Sequence, residues 1–147
     1  MPVGQRLDRR VYGRDQHEWD ELTRVGWVFL SERARLRKTT SYTELSATLT
    51  RRTGLRGFDF DRVDERAAMG HLLGLIVESD FRKTGLMISA LVIYLNENDA
   101  GSGFYGLAQQ YGLLRAGATS DEKLIFWANQ VKELYARAAP EPARRAS

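Results

Sequence analysis

Cysteine is absent from this 147-residue chain, and histidine occurs only twice, as His17 and His71. Without cysteine there is no thiolate nucleophile, no disulfide and no sulfur-bound zinc or iron–sulfur centre. The two histidines lie far apart in the sequence and neither has a partner at metal-ligand spacing, so we expect no metal and no cofactor. No glycine-framed serine lies near a histidine, as a hydrolase motif would require, and we expect no enzymatic activity.

Long apolar runs are also lacking. The longest is 90–95, or 86–95 if Ser89 is included, which is about half of the ~20 residues that a membrane-spanning helix needs. Arginines rather than apolar residues follow the first few positions, which is not the pattern of a secretory signal. We therefore expect a cytoplasmic protein with no membrane partner.

The composition that remains is that of an ordinary globular protein, with 43% hydrophobic and 28% charged residues. A chain of this length is typical of one domain that buries about 70% of its unfolded surface. Charge and apolar periodicity predict a basic N-terminal arm at 1–14, a single globular domain at 15–137 and a flexible basic tail at 138–147.

Apolar periodicity predicts an α+β fold that is mainly α, with five helices and a small β element. The first helix is predicted from about Asp15 to Arg37, although Gly26 leaves a strand at 25–30 open. The second begins at Ser41, which forms a capping box with Glu44.

The third helix is predicted from Asp61 to Glu78. Its apolar stripe is expected to face the core and consists of Val63, Ala67, Gly70, Leu73 and Val77, widened by Met69, Leu72 and Ile76. The fourth helix follows Gly101-Ser102-Gly103, and the fifth starts at a second capping box, Thr119 to Glu122.

Segment 86–95 is apolar at both odd and even positions, which is typical of a strand buried on both faces. A strand needs a partner, and we expect one near 55–60 or 11–12. A buried helical segment of this length remains the alternative.

Charge is concentrated in one stretch. Residues 33–56 hold seven basic side chains against Glu44 alone, whereas 15–135 as a whole holds 15 basic and 17 acidic side chains. Hydroxyl groups at a helix start, flanked by cations, favour phosphate binding. We therefore predict a small non-catalytic DNA-binding or DNA-associated protein with a helix-turn-helix-like basic surface for duplex DNA. The expected contact residues are Lys38, Thr40, Ser41, Arg51, Arg52 and Arg56. The alternative is a solvated face whose hydroxyl groups serve only as helix caps.

Three further groups of residues have a functional and a structural interpretation. Ser102 and Gly103 form a candidate anion site at a helix start, or a tight turn. Asp59, Asp61 and Asp64 could bind a metal, but they fit better as the acidic start of the third helix. The aromatic side chains are interpreted as core residues or, alternatively, as anchors of a protein-interaction module from a phage or host; they are Trp19, Trp27, Phe126 and Trp127.

Two resemblances rest on short motifs. Residues 40–135 resemble a family of small uncharacterised proteins from actinobacteria and their phages. The shared motifs are Thr40-x-Tyr42-x-Glu44-Leu45, Leu73-Gly74, Gly85 leading into Ser89-Ala90-Leu91-Val92, Gly101-x-Gly103-Phe104, Leu107-Ala108 and Phe126-Trp127. This resemblance implies a fold but no activity.

The order of elements is also similar to the DNA-binding domain of alkylguanine DNA alkyltransferases and alkyltransferase-like proteins. The matching segments are 40–45, 66–70, 88–92 and 101–104, with the spacing in the second segment off by one residue. This resemblance implies a winged-helix-like arrangement that binds DNA. Where that family has its reactive cysteine and the neighbouring histidine, this chain has Ser89, Ala90 and Leu91, so alkyl transfer is excluded.

Overall fold

The computed structural model describes residues 10–94 and 100–138. Helix α1, Gln16–Leu36, begins at a capping box between Asp15 and Glu18 and ends at Arg37, whose φ of 57° is left-handed. The predicted first helix is therefore confirmed and no strand interrupts it at 25–30. Gly26 is needed there for packing, because an added Cβ would lie 2.6 Å from the Cδ1 of Ile76.

Strand β1, Thr40–Ser41, leads directly into helix α2, Tyr42–Thr53. Ser41 caps α2 as predicted, since its Oγ accepts from the backbone N–H of Glu44 at 3.0 Å. The capping box is only half formed. The Glu44 carboxylate accepts a hydrogen bond from the Thr40 hydroxyl instead of from the backbone of Ser41.

Helix α3, Val63–Thr84, extends six residues beyond the predicted end at Glu78. The charged residues after Glu78 form the last turns of the helix. Arg82 and Lys83 lie at the C-terminal end, where positive charge is favourable. Gly85, with a φ of 70°, ends the helix.

The predicted strand at 86–95 is wrong for most of its length. Residues Ile88–Leu91 form a single 3-10 turn, and strand β2 consists only of Val92–Ile93. The partner also differs from both expectations, because β2 pairs in parallel with β1. Every residue from 86 to 93 is buried. The segment is apolar at both odd and even positions because it lies inside the core, and not because it forms a strand. Residue 95 lies outside the described residues.

Helix α5, Ser120–Ala138, begins where the sequence predicts, whereas helix α4, Ser102–Gln110, begins inside the Gly101-Ser102-Gly103 motif that it was predicted to follow. The capping box at the start of α5 is complete. The backbone N–H of Glu122 donates to the Thr119 hydroxyl at 3.1 Å, and the backbone N–H of Thr119 donates to Glu122 at 2.7 Å.

The core surrounds α1, which packs against α2, α3, α5 and the 3-10 turn. Five α-helices and one short parallel strand pair make up the described residues, which confirms the mainly helical α+β class. The winged-helix-like arrangement implied by the second resemblance would need an antiparallel hairpin, the wing, after α3. The described chain instead has the 3-10 turn after α3, followed by strand β2, which pairs in parallel with β1. None of the helices in residues 10–94 and 100–138 is long and apolar enough to cross a bilayer.

Residues 10–14 of the predicted N-terminal arm pack against the domain. Arg14 is fully buried, donates to the carbonyl of Gly57 at 3.1 Å and lies 4.3 Å from the centre of the Phe58 ring. Burial lowers the pKa of Arg14. The carbonyl of Val11 accepts a hydrogen bond from the Trp19 indole. Residues 1–9 of the arm and 139–147 of the tail lie outside the described residues.

Candidate ligand groove

Four of the six residues predicted to contact phosphate already have structural partners. Thr40 is only 3% exposed and Ser41 caps α2. Arg52 makes two hydrogen bonds to Glu32, at 2.8 and 3.1 Å, and these lower the pKa of that carboxylate. Arg56 pairs at 3.2 Å with Glu65, a buried carboxylate that needs a cation beside it.

Lys38 and Arg51 are exposed and form no ion pair with the described residues. Lys38 follows the end of α1, and Arg51 lies in the last turn of α2. The basic stretch of the sequence is therefore only partly available for binding. Four of its six predicted contact residues already have structural roles.

The connection between α2 and α3 is longer than the turn of a helix-turn-helix motif. A segment of nine residues, 54–62, joins α2 to α3, whereas the motif has a turn of about three to four residues. The start of α3 is acidic, and Asp64 is paired with Arg62 at 2.7 Å. That end of α3 is not arranged as a basic recognition surface.

The other predicted groups have structural roles. Asp59 accepts from the backbone N–H of Asp61 at 3.1 Å, just before α3. His71 stacks edge-on against Trp19, with ring centroids 4.7 Å apart. Within the described residues, no three His, Asp or Glu side chains come close enough to hold a metal ion.

Three of the four aromatic residues proposed as interface anchors are buried or half-buried. Trp19 is 2% exposed, the indole of Trp127 donates to the carbonyl of Ala90 at 2.8 Å, and Phe126 packs 5.8 Å from the ring of Phe104. Trp27 alone of the four is exposed. They do not form one exposed patch.

A groove between α3 and α4 has a volume of about 860 Å³. This volume lies within the range of about 300–1,000 Å³ that is usual for small-molecule sites. Apolar side chains from both helices line it, including Leu73, Phe104 and Leu107. Outside the lining residues, the rings of Phe81 in α3 and Tyr111, which follows α4, stack with centroids 4.4 Å apart.

The wall formed by α3 contains residues that the sequence assigned to the core. Val63, Ala67 and Gly70 were predicted to face inward, but they are exposed and line the groove, and Val63 is 73% exposed. The buried face of α3 lies beside them and is formed by Ala68, Met69, Leu72, Leu73, Ile76 and Val77. The apolar surface of α3 is therefore wider than the core covers.

Glycines keep the groove open. Gly70 and Gly74 of α3 and Gly103 and Gly106 of α4 all line it, and a Cβ at any of them would meet no atom within 4 Å. None of the four has the positive φ that would require glycine. A glycine inside a helix is less favourable than alanine by about 0.5–1 kcal/mol. Neither backbone conformation nor packing within the described residues accounts for these glycines.

One end of the groove is polar. Pairing of β1 with β2 brings Tyr42, at the start of α2, to a ring-centroid distance of 5.1 Å from Tyr94. Both tyrosine hydroxyls lie close to Gly101, where a Cβ would be 2.9 and 3.1 Å from them, so a larger residue would require these side chains to shift. Burial raises the pKa of Tyr42 to about 12, helped by Tyr94 and opposed by a backbone hydrogen bond from Gly101. Tyr42 therefore keeps its proton at neutral pH.

The candidate anion site at Ser102 and Gly103 lies at this polar end. Gly101 is the N-cap of α4 and provides no side-chain cap. The backbone N–H groups of the first helical residues point away from the helix body and need acceptors from elsewhere. The sequence singled out this turn but contained no local signal of the groove beside it.

No protein-family model, no curated protein and no solved structure matches the chain. The two resemblances noted in the sequence therefore stay predictions.

Proposed function

We propose that this protein binds a small molecule with an apolar body in the groove between α3 and α4. One observation supports the proposal most strongly: α3 has an apolar face that the core does not cover, and four glycines of α3 and α4 leave open space beside that face. Small-molecule sites are typically concave and mostly apolar, with a few convergent polar groups, and the groove has this composition. The expectation that the protein is not an enzyme stays a prediction.

The test is a fluorescence titration of the full chain with N-phenyl-1-naphthylamine, a neutral apolar fluorophore. We expect saturable one-to-one binding to the wild type. Gly70→Leu and Gly106→Leu should each weaken it at least tenfold, because a leucine side chain would fill the space that the glycine leaves.

Ala47→Leu is the matched control, since Ala47 is an exposed helical residue of α2 outside the groove. This variant should bind like the wild type, and circular dichroism should show the same helix content in all four proteins. Absence of saturable binding to the wild type, or equal binding by the filled variants, would overturn the proposal.

Binding of duplex DNA is a second candidate, supported by exposed cations at the adjoining ends of α1 and α2. Arg52 bonds to Glu32, and Arg35 lies close enough to contribute to lowering the pKa of the same carboxylate. Lys38 and Arg51 extend this group of positive charges. Such a surface suits the sequence-independent attraction of phosphates.

A salt titration of duplex binding tests this second candidate. We expect binding at ~50 mM salt that weakens steeply as the salt concentration increases. The slope of the logarithm of the binding constant against the logarithm of the salt concentration should decrease in magnitude by about one in each of Lys38→Ala and Arg51→Ala. Arg82→Ala, at the far end of α3, is the control. Absence of binding at ~50 mM salt excludes this candidate. The protein-interaction module stays a prediction that the positions of the tryptophans do not favour.

A further inference from the structure

We infer that the ligand of the groove carries one anionic head group, a carboxylate or a phosphate, bound where α2 and α4 begin. This inference rests on the proposed function and adds the chemical class of the ligand. The apolar body would extend from this head along α3 and α4, past Gly70 and Gly106. From Gly103 to Gln110 the groove wall is about 10 Å long at 1.5 Å per residue.

Two helix starts converge on the head-group position. Ser41, Tyr42 and Thr43 from α2 and Ser102 and Gly103 from α4 line the same end of the groove. The backbone N–H groups of Ser102 and Gly103 have no acceptor among the described residues. Each helix start is equivalent to about half a positive charge, so two of them together favour an anion.

The charged side chains of the groove wall also favour a negatively charged ligand. Arg66 is the one ionisable cation among the described wall residues, and these include no aspartate or glutamate. Its Nη1 donates to the carbonyl of Phe60 at 2.6 Å, and the Phe60 ring lies 6.4 Å from that of Tyr42. Arg66 thus lines the same groove as the two helix starts and is linked to Tyr42 through Phe60, with further donors available for a ligand.

Ser89 is an independent sign of a ligand. It is only 4% exposed, lines the groove and makes no side-chain hydrogen bond to the described residues. The fully buried side-chain polar atoms without a partner in the described residues are Nε and Nη1 of Arg14, so the Ser89 hydroxyl is accessible from the groove that it lines. A polar ligand atom in the groove could therefore form a hydrogen bond with it. The protonated phenol of Tyr42 is a second neutral donor at the same end.

The test compares four probes that share one ten-carbon chain: decanoate, decyl phosphate, decanol and decyltrimethylammonium. Isothermal titration of the full chain at pH 7.5, below the micellar concentration of each probe, gives the affinities. We expect at least one of the two anions to bind tenfold or more tightly than decanol, and the cation to bind weakest. The two anions distinguish a carboxylate ligand from a phosphate ligand.

Variants separate head-group recognition from folding. Arg66→Gln should reduce the affinity for the preferred anion at least fivefold and leave decanol binding unchanged, and Ser89→Ala should weaken the same anion. Arg82→Gln, outside the groove, is the control for loss of a positive charge. Equal binding of decanol and the anions, tighter binding of the cation, or equal loss of all probes in Arg66→Gln would overturn this inference and leave the proposed function standing. Failure of every probe, together with failure of the neutral fluorophore, would overturn the proposed function itself.

Discussion

Glycine has opposite consequences at two helical positions of this protein. At Gly26 in α1 a Cβ would lie 2.6 Å from Ile76 of α3, so the two helices approach closely at that point. At Gly70 in α3 a Cβ would meet nothing within 4 Å. The same residue type therefore permits packing at one position and leaves space at the other.

We expect Gly70→Ala to raise the free energy of unfolding of the ligand-free protein by about 0.5–1 kcal/mol. Alanine restricts the unfolded chain and favours the helix, and its methyl group enters open space. Urea denaturation followed by circular dichroism measures the difference.

Gly26→Ala is the contrasting variant. Ile76 is fully buried, and overpacking a core typically lowers stability by about 1–3 kcal/mol, which exceeds the gain in helix propensity. This variant should be less stable than the wild type. If Gly70→Ala lowered stability as well, protein atoms would occupy the groove and the argument for a ligand would fail.

The sequence could not distinguish these two glycines. Periodicity predicts which residues share a face of a helix, and it correctly grouped Val63, Ala67 and Gly70. What covers that face depends on distant parts of the chain. Leu73 and Val77 of the predicted stripe are buried, whereas Val63, Ala67 and Gly70 form part of the wall of an open groove.

Helix ends were more predictable than the segment between them because a cap depends on residues three positions apart. The caps at Ser41 and Thr119 are present as predicted. A small β element was predicted correctly, but its position and pairing were not predictable, since β1 is only two residues long and its partner lies some fifty residues further along the chain. A run of apolar residues indicates burial but does not distinguish a strand from a 3-10 turn.

The start of α5 should respond to acid. Hydrogen bonds from Arg115 and from the backbone of Thr119 lower the pKa of Glu122 to about 2. Because this value is below the usual pKa of the group, the carboxylate stabilises the folded state above about pH 4.5. That contribution decreases as the pH falls towards about 2. Glu122→Gln should therefore be less stable than the wild type at pH 7, with a smaller difference at pH 3.5.

Urea denaturation at pH 7, 5 and 3.5 measures this dependence. Glu133→Gln, an exposed position on the same helix, controls for the removal of one negative charge from α5. A difference between Glu122→Gln and the wild type that stays constant over this pH range would show that the bonds to Arg115 and Thr119 do not form in solution.

At the scale of the whole molecule, the helices differ in how firmly they are held. α1 packs along α2, α3 and α5, whereas α4 approaches other elements of the described chain only at isolated points. Phe104, Tyr105 and Ala108 anchor α4 to the core, and its other side borders the groove. The candidate site is thus formed by one firmly packed helix and one loosely packed helix. No local sequence pattern could show this.

Native-state hydrogen exchange should reveal that difference. Amides of α1 and α3 should exchange only through global unfolding, whereas those of α4 should exchange through a local opening of lower free energy, because fewer contacts break. A ligand that bridges α3 and α4 stabilises only states in which the groove is formed. Decanoate or another bound probe should therefore slow exchange in α4 more than in α1 at sub-saturating concentrations. Equal opening free energies for α4 and α1 without ligand would contradict this hierarchy. If the bound probe slowed amide exchange in other helices but not in α4, the ligand would bind elsewhere on the protein.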